Sequence, residues 1–201
     1  MTMRRVLFVA LIVPSLACQF LQPTPLALST PPNASSDTIQ IEIENATMIY
    51  YTITGSIANE LRQEMNKLGP LDPDDGLHYD ARTDWYISWT WLGYGKSKCD
   101  LMQTSIDYDI KVNVPLWKPP SDIDPALVDR WNRYMNNLML HEQGHVNIIL
   151  NHYLKVRDAI QAATCDTAEQ AAQEAANELR LLHQQYDKQT GHGETQSAVF
   201  P

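Results

Sequence analysis

The stretch of the chain with the richest potential chemistry is His141-Glu142-Gln143-Gly144-His145. It has the form H-E-x-x-H and lies in an apolar, helix-compatible run from Leu138 to Val146. On a helix, residues four apart sit one turn apart on the same face. The imidazoles of His141 and His145 can therefore ligate one Zn2+ ion. Glu142 follows the first of them and can reach a water on the open side of the metal as general base. Tyr134, Leu138, His141, His145, Ile148 and His152 fall on one helical stripe. The stripe that faces the metal is thus also the stripe expected to be buried. The bland alternative is two core histidines and a solvated glutamate, since so short a pattern also arises by chance.

A catalytic zinc site takes a third protein ligand and keeps one position open. His152 lies on the same stripe, but seven residues of helix put it about 10 Å from His145 along the axis. No glycine between Val146 and Asn151 turns the chain back, so His152 reads as a core residue or a support behind a ligand. The return of the chain points further on. Asp124 and Pro125 suit the cap and first turn of a helix running to about Ala163. Cys165 to Glu169 then restarts a helix, with Asp166 as its cap and Glu169 three residues later. A tight hairpin near residue 165 makes the two helices antiparallel neighbours. Residues 185–189 then stand beside His141 and His145, with His183 slightly below that level and Glu178 lower still. Tyr186 and Asp187 fall at the level of the metal. His192, between Gly191 and Gly193, can curl toward it and is the expected third ligand. Asp187 then orients a ligand through a hydrogen bond; Asp187 as the ligand itself is the alternative. Tyr186 is a candidate to stabilise the oxyanion, unless it simply packs.

The elements that must hold this helix pair lie upstream. Ile39, Ile41 and Ile43 alternate with polar residues as in a half-buried strand, and Tyr51 to Gly55 reads as a second. Ser56 is placed to cap a short helix whose apolar face is Ile57, Leu61, Met65 and Leu68. Asp72, Asp74 and Asp75 lack the later Glu of a calcium loop and read as a solvated turn. Trp85, Ile87, Trp89 and Trp91 share one face of a strand, either as core or as a binding wall. Ile106 to Val114 alternate in the longest strand. The expected class is α+β: a small antiparallel sheet on an active-site helix, followed by an antiparallel helix.

With 201 residues and a net charge of −9, the chain offers one domain and no basic surface for nucleic acid. Residues 1–17 read as a signal peptide: Arg4 and Arg5 precede an apolar run too short to span a bilayer. Residues 18–37 form a Pro/Ser-rich linker, and 38–201 the folded domain. Cys18 follows small residues as at a bacterial lipoprotein cleavage site, although Ser15 replaces the usual aliphatic residue. A lipid on Cys18 would be the sole membrane attachment; ordinary secretion is the alternative. Either route is extracytoplasmic, where Cys99 and Cys165 are expected to pair.

The strand-helix start Tyr51-Thr52-Ile53-Thr54-Gly55, the cysteine pair, Trp131 ahead of the H-E-x-x-H and the ending Tyr186-Asp187-Lys188-Gln189-Thr190-Gly191-His192-Gly193 together resemble a bacterial envelope family. It is known as domain of unknown function 922 and is associated with secreted zinc-dependent proteases. Ser197 departs from it where a glycine is expected. The resemblance implies a zincin-like metallopeptidase domain acting on a peptide or protein substrate. A non-catalytic metal-containing envelope module, binding through the tryptophan face, is the alternative from another class. A cell-wall amidase is a third.

Overall fold

The computed structural model describes residues 41–73 and 76–200. The expected signal segment 1–17, the linker 18–37 with Cys18, and Ile39 lie outside the described residues. Strands β1 (Thr47–Ile53), β2 (Arg82–Leu92) and β3 (Asp100–Trp117) form one sheet in the order β1-β3-β2. β2 runs antiparallel to the long central β3, with Trp85 opposite Ile110. β1 runs parallel to β3, with Tyr50 opposite Val114. The sheet is therefore mixed, not the antiparallel one expected. The connection from β1 to β3 contains helix α1 (Ala58–Leu68) and all of β2, long enough for a parallel return that no tight turn could make. Ile41 and Ile43 do not form a strand; they precede β1, and Ile43 is buried in the core. Ile57, not Ser56, is the N-cap of α1, and the Glu60 carboxylate instead accepts the Ser56 N–H at 2.8 Å.

The helical half starts where the sequence requires. The Asp124 carboxylate accepts the Ala126 N–H at 2.9 Å, and Pro125 opens α2 (Pro125–His152). The expected continuous helix to Ala163 is broken at Tyr153, and α3 (Leu154–Ala162) completes it. At the break, His152 turns its ring back onto its own helix, Nδ1 lying 2.8 Å from the Ile148 carbonyl. Helix α4 (Ala168–Thr190) begins after Thr167 rather than after an Asp166 cap. Thr167 Oγ1 accepts the Thr164 N–H across the turn. The Cys99–Cys165 disulfide ties that turn to the start of β3, as expected. Among the described residues no helix is long and apolar enough to cross a membrane.

Two apolar clusters hold these parts together. Ile87, Trp91, Ile110 and Val112 of the sheet pack on Val156 and Ile160 of α3 and on Ala172, Ala175 and Leu179 of α4. The alanines let α4 approach the tryptophan face closely, and Trp89 Nε1 donates to Glu169 at 3.0 Å. That face is core, so the surface a tryptophan-based binding module would use is covered. Trp85 alone of the set reaches an open cleft. The second cluster joins Ile53, Leu61, Met65, Trp117, Trp131, Tyr134 and Phe200 around the first half of α2. Beside it, Arg62 pairs with the Asp80 carboxylate, which also accepts from Tyr134 Oη at 2.7 Å. Tyr51 Oη donates to the Asp80 carbonyl at 2.7 Å. Side chains from α1, α2 and β1 thus fix the residue that leads the chain into β2.

Candidate metal centre

α2 and α4 run antiparallel, so that His145 faces His183 and His141 faces Tyr186 and Asp187. Among the described residues, His141, His145 and Asp187 offer ligand atoms that all lie within 4.8 Å of one another. Asp187 Oδ1 is 2.9 Å from His145 Nε2 and 3.4 Å from His141 Nε2. The two imidazoles are nearly perpendicular, so both Nε2 lone pairs can point at one centre. Both rings are buried. Burial disfavours a charged His141, but Asp187, Glu142 and Gln196 outweigh it and raise its pKa. Burial likewise opposes ionisation of Asp187, yet the two imidazoles hold it well below the ordinary carboxylate range. The carboxylate is ionised and acceptor-only, the form that binds a cation.

Each histidine is oriented from behind. His141 Nδ1 lies 2.9 Å from Gln196 Oε1, which leaves its Nε2 free for a metal. Gln196 is held in turn by its amide N–H to Tyr186 Oη at 3.1 Å. Tyr186 lies flat on the His141 ring and its hydroxyl donates to the His141 carbonyl at 3.2 Å. The ring has room only because residue 144 is glycine: a Cβ there would land on Tyr186 Oη and Cζ. Gly193 serves similarly. With φ +86 it lets the last loop pass so close that its Cβ would sit 3.2 Å from His141 Cγ. His145 Nδ1 is 2.8 Å from His183 Nδ1. Those two rings are 6° from parallel with centroids 5.1 Å apart, the separation expected of rings joined edge to edge through one hydrogen bond. Trp85 stacks on His183 from the sheet side. Burial and the neighbouring His145 push His183 down to about 4, so it is neutral.

Glu142 is buried and lies beside the cluster, on the wall of a cleft of about 490 Å³. Burial raises its pKa, against the pull of His145, Thr83 and His141. Thr83 Oγ1, on β2, donates to Glu142 Oε2 at 2.6 Å, and among the described residues Oε1 has no hydrogen-bond partner. The cleft runs between the start of β2 and the facing sides of α2 and α4. β2 is an edge strand, and its first residues, Arg82 to Trp85, line this space.

The sequence places His141 and His145 on one buried stripe, and so does the fold; Glu142, beside that stripe, is buried as well. The third position differs from the expected ranking. Asp187 joins the cluster, whereas the His192 side chain is more than half exposed and its Nδ1 stays 3.9 Å from Asp187 Oδ1. His192 has φ 52, and the left-handed run through Gly191 and Gly193 directs it to the cleft wall against Tyr79. Tyr186 is not among the residues that line the cleft; it packs on His141, its hydroxyl donating to the His141 carbonyl and accepting from the Gln196 amide. His152 is not part of the cluster; its Nδ1 lies against the Ile148 carbonyl of its own helix. Sequence reasoning missed Thr83, Gln196 and the contact of His183 with His145. Only His183 had a signal, one turn before Asp187 on the same face of α4. Ser197 adopts φ 61, which accounts for a glycine being expected there.

A tetrahedral zinc ion with bonds of about 2.0–2.1 Å sets its ligand atoms about 3.3 Å apart. The separations of Asp187 Oδ1 from the two Nε2 atoms bracket that value, and two imidazoles with one carboxylate is a donor set typical of catalytic zinc. The residues present therefore fit such an ion. No curated protein and no solved structure matches the chain significantly. Residues 48–193, which contain the whole cluster, match the model of a family described as a bacterial protein of unknown function (DUF922), and the chain belongs to that family.

Proposed function

We propose that this protein is a zinc-dependent metallopeptidase of zincin-like architecture that hydrolyses peptide bonds outside the cytoplasm. The observation that carries the reading is Glu142: a buried carboxylate, anchored on one oxygen by Thr83, beside a His-His-Asp cluster. A purely structural metal site needs its ligands and has no use for such a group. His141, His145 and Asp187 would hold the ion. Zinc supplies a polarised scissile carbonyl and a water acidic enough to attack at neutral pH. Glu142 Oε1 takes the proton and returns it to the leaving amine, with burial keeping its pKa nearer that task. The free edge of β2 aligns an extended peptide through main-chain hydrogen bonds along the cleft. The Cys99–Cys165 disulfide supports an oxidising, extracytoplasmic location, reached as a secreted protein or one anchored in the bacterial envelope through Cys18.

The test is metal analysis of the purified protein alongside a mixed-peptide cleavage screen, repeated with Glu142→Gln. We expect about one zinc per chain in both forms and cleavage by the wild type alone. Zinc bound by both forms with cleavage by neither would leave a non-catalytic metal module.

A further inference from the structure

Beyond the three metal-facing residues, α4 presents a second polar group to the cleft. Arg180, His183 and Gln184 all line it, next to Trp85, and their spacing puts them at neighbouring positions of one helix face. Among the described residues none of the three has a carboxylate hydrogen-bonded or ion-paired to it. Among the described residues Arg180 donates to the Asn177 amide oxygen one turn back. The other cleft guanidinium, Arg82, is paired with Asp84. His183 is 8% exposed, and its Nε2 is buried with no hydrogen-bond partner among the described residues.

The chemistry of that nitrogen follows from its neighbour. His145 can ligate through Nε2 only with its proton on Nδ1, and that proton is donated to His183 Nδ1. With its Nδ1 accepting that hydrogen bond, the His183 ring carries its own proton on Nε2. The result is a buried N–H donor, on a side chain that lines the cleft, with no acceptor among the described residues. Leaving such a donor unsatisfied is costly, so the site is built to receive an acceptor. A guanidinium, an imidazole N–H and a side-chain amide on one wall select a carboxylate.

We propose that Arg180, His183 Nε2–H and Gln184 form a subsite that binds a carboxylate of the substrate. The assignment rests on the metallopeptidase reading for the meaning of "substrate", but its binding chemistry does not require turnover. Arg180 lies seven residues before Asp187, about 10 Å along the helix. An extended peptide advances about 3.4 Å per residue. The carboxylate therefore sits about three residues from the scissile bond, as an acidic side chain or as the terminus of a short peptide.

The experiment uses zinc-loaded Glu142→Gln protein and calorimetry. The probes are acetylated, amidated alanine hexapeptides carrying one glutamate at each position in turn, their glutamine counterparts, and the same peptides with a free C-terminus. We expect one glutamate position, or the free terminus, to bind at least about tenfold tighter than its neutral counterpart. The glutamate arm reports a side chain and the free-terminus arm a terminal carboxylate. Arg180→Met should cut that advantage to less than about twofold, and the ring nitrogen resonances of His183 should report a proton on Nε2 in the zinc-loaded protein. Charged and neutral peptides binding equally, or not at all, would overturn the proposal. So would an advantage that survives Arg180→Met, or a His183 proton found on Nδ1. Cleavage by the wild type is read separately: a protein that shows the carboxylate preference and cleaves nothing loses the peptidase assignment and keeps the subsite.

Discussion

Gly144→Ala separates the packing described here from ordinary helix behaviour, because the two give opposite signs. In an unobstructed helix interior the change stabilises by about 0.8–1.0 kcal/mol. Here the new Cβ lands on Oη and Cζ of Tyr186 and 2.8 Å from Cε1. Tyr186 is partly buried and held in place by its contacts. Its ring is stacked on His141 with 12° between the planes, and its hydroxyl bonds the His141 carbonyl and Gln196. Forcing the ring aside costs about 1–3 kcal/mol of overpacking and about 1 kcal/mol for the lost hydrogen bond. After the helix gain is subtracted, the net loss is about 1–3 kcal/mol. Removing the obstacle should restore the ordinary sign: in a Tyr186→Ala background, Gly144→Ala should stabilise by about 1 kcal/mol. Urea unfolding with the disulfide intact and a chelator present reads both backgrounds without a contribution from metal. A Gly144→Ala that is neutral or stabilising in the wild-type background, or that has the same effect in both, refutes the reasoning.

Three further outcomes follow from the site and its supports. Asp187→Ala should weaken zinc binding by more than about 100-fold, whereas His192→Ala, which removes a side chain outside the cluster, should change it by less than about tenfold; competition with a chromogenic chelator measures both, and the reverse order would make His192 the ligand. Cys99→Ser with Cys165→Ser opens a loop of 66 residues' separation and should cost about 4 kcal/mol on the chain-entropy estimate; denaturant unfolding that shows less than about 1 kcal/mol would remove the bridge as a stabilising tie. Thr83→Val deletes the hydroxyl that holds Glu142 Oε2, and we expect zinc content to stay unchanged while kcat falls about tenfold or more; an unaltered kcat at equal zinc would show that Glu142 needs no such anchor.

The sequence reveals the parts of the site that depend on helix geometry. Four-residue spacing suffices to bring His141 and His145 together, and hairpin counting suffices to bring Asp187 to their level. It favoured His192 over Asp187 because flanking glycines imply freedom to curl. Which way that freedom is used depends on the φ values of Gly191, His192 and Gly193 and on Gly193 pressing against His141, none of which spacing encodes. Thr83 and Gln196 were illegible for a related reason: they are 59 and 55 residues from the side chains they hold. In the fold, alternation marks β2 and β3 well but says nothing of which neighbour β1 chooses, so its parallel pairing with β3 was missed. Ile41 and Ile43 show the opposite failure, a strand-like pattern in a segment that is buried without pairing.

The most direct measurement of the central claim is an anomalous difference map at the zinc absorption edge from crystals of the zinc-loaded protein. A single peak is expected about 2.0–2.2 Å from His141 Nε2, His145 Nε2 and an oxygen of Asp187, with the Glu142 carboxylate beside it and not bound to it. A peak held by His192 in place of Asp187, direct ligation by Glu142, or no peak between α2 and α4 would contradict it.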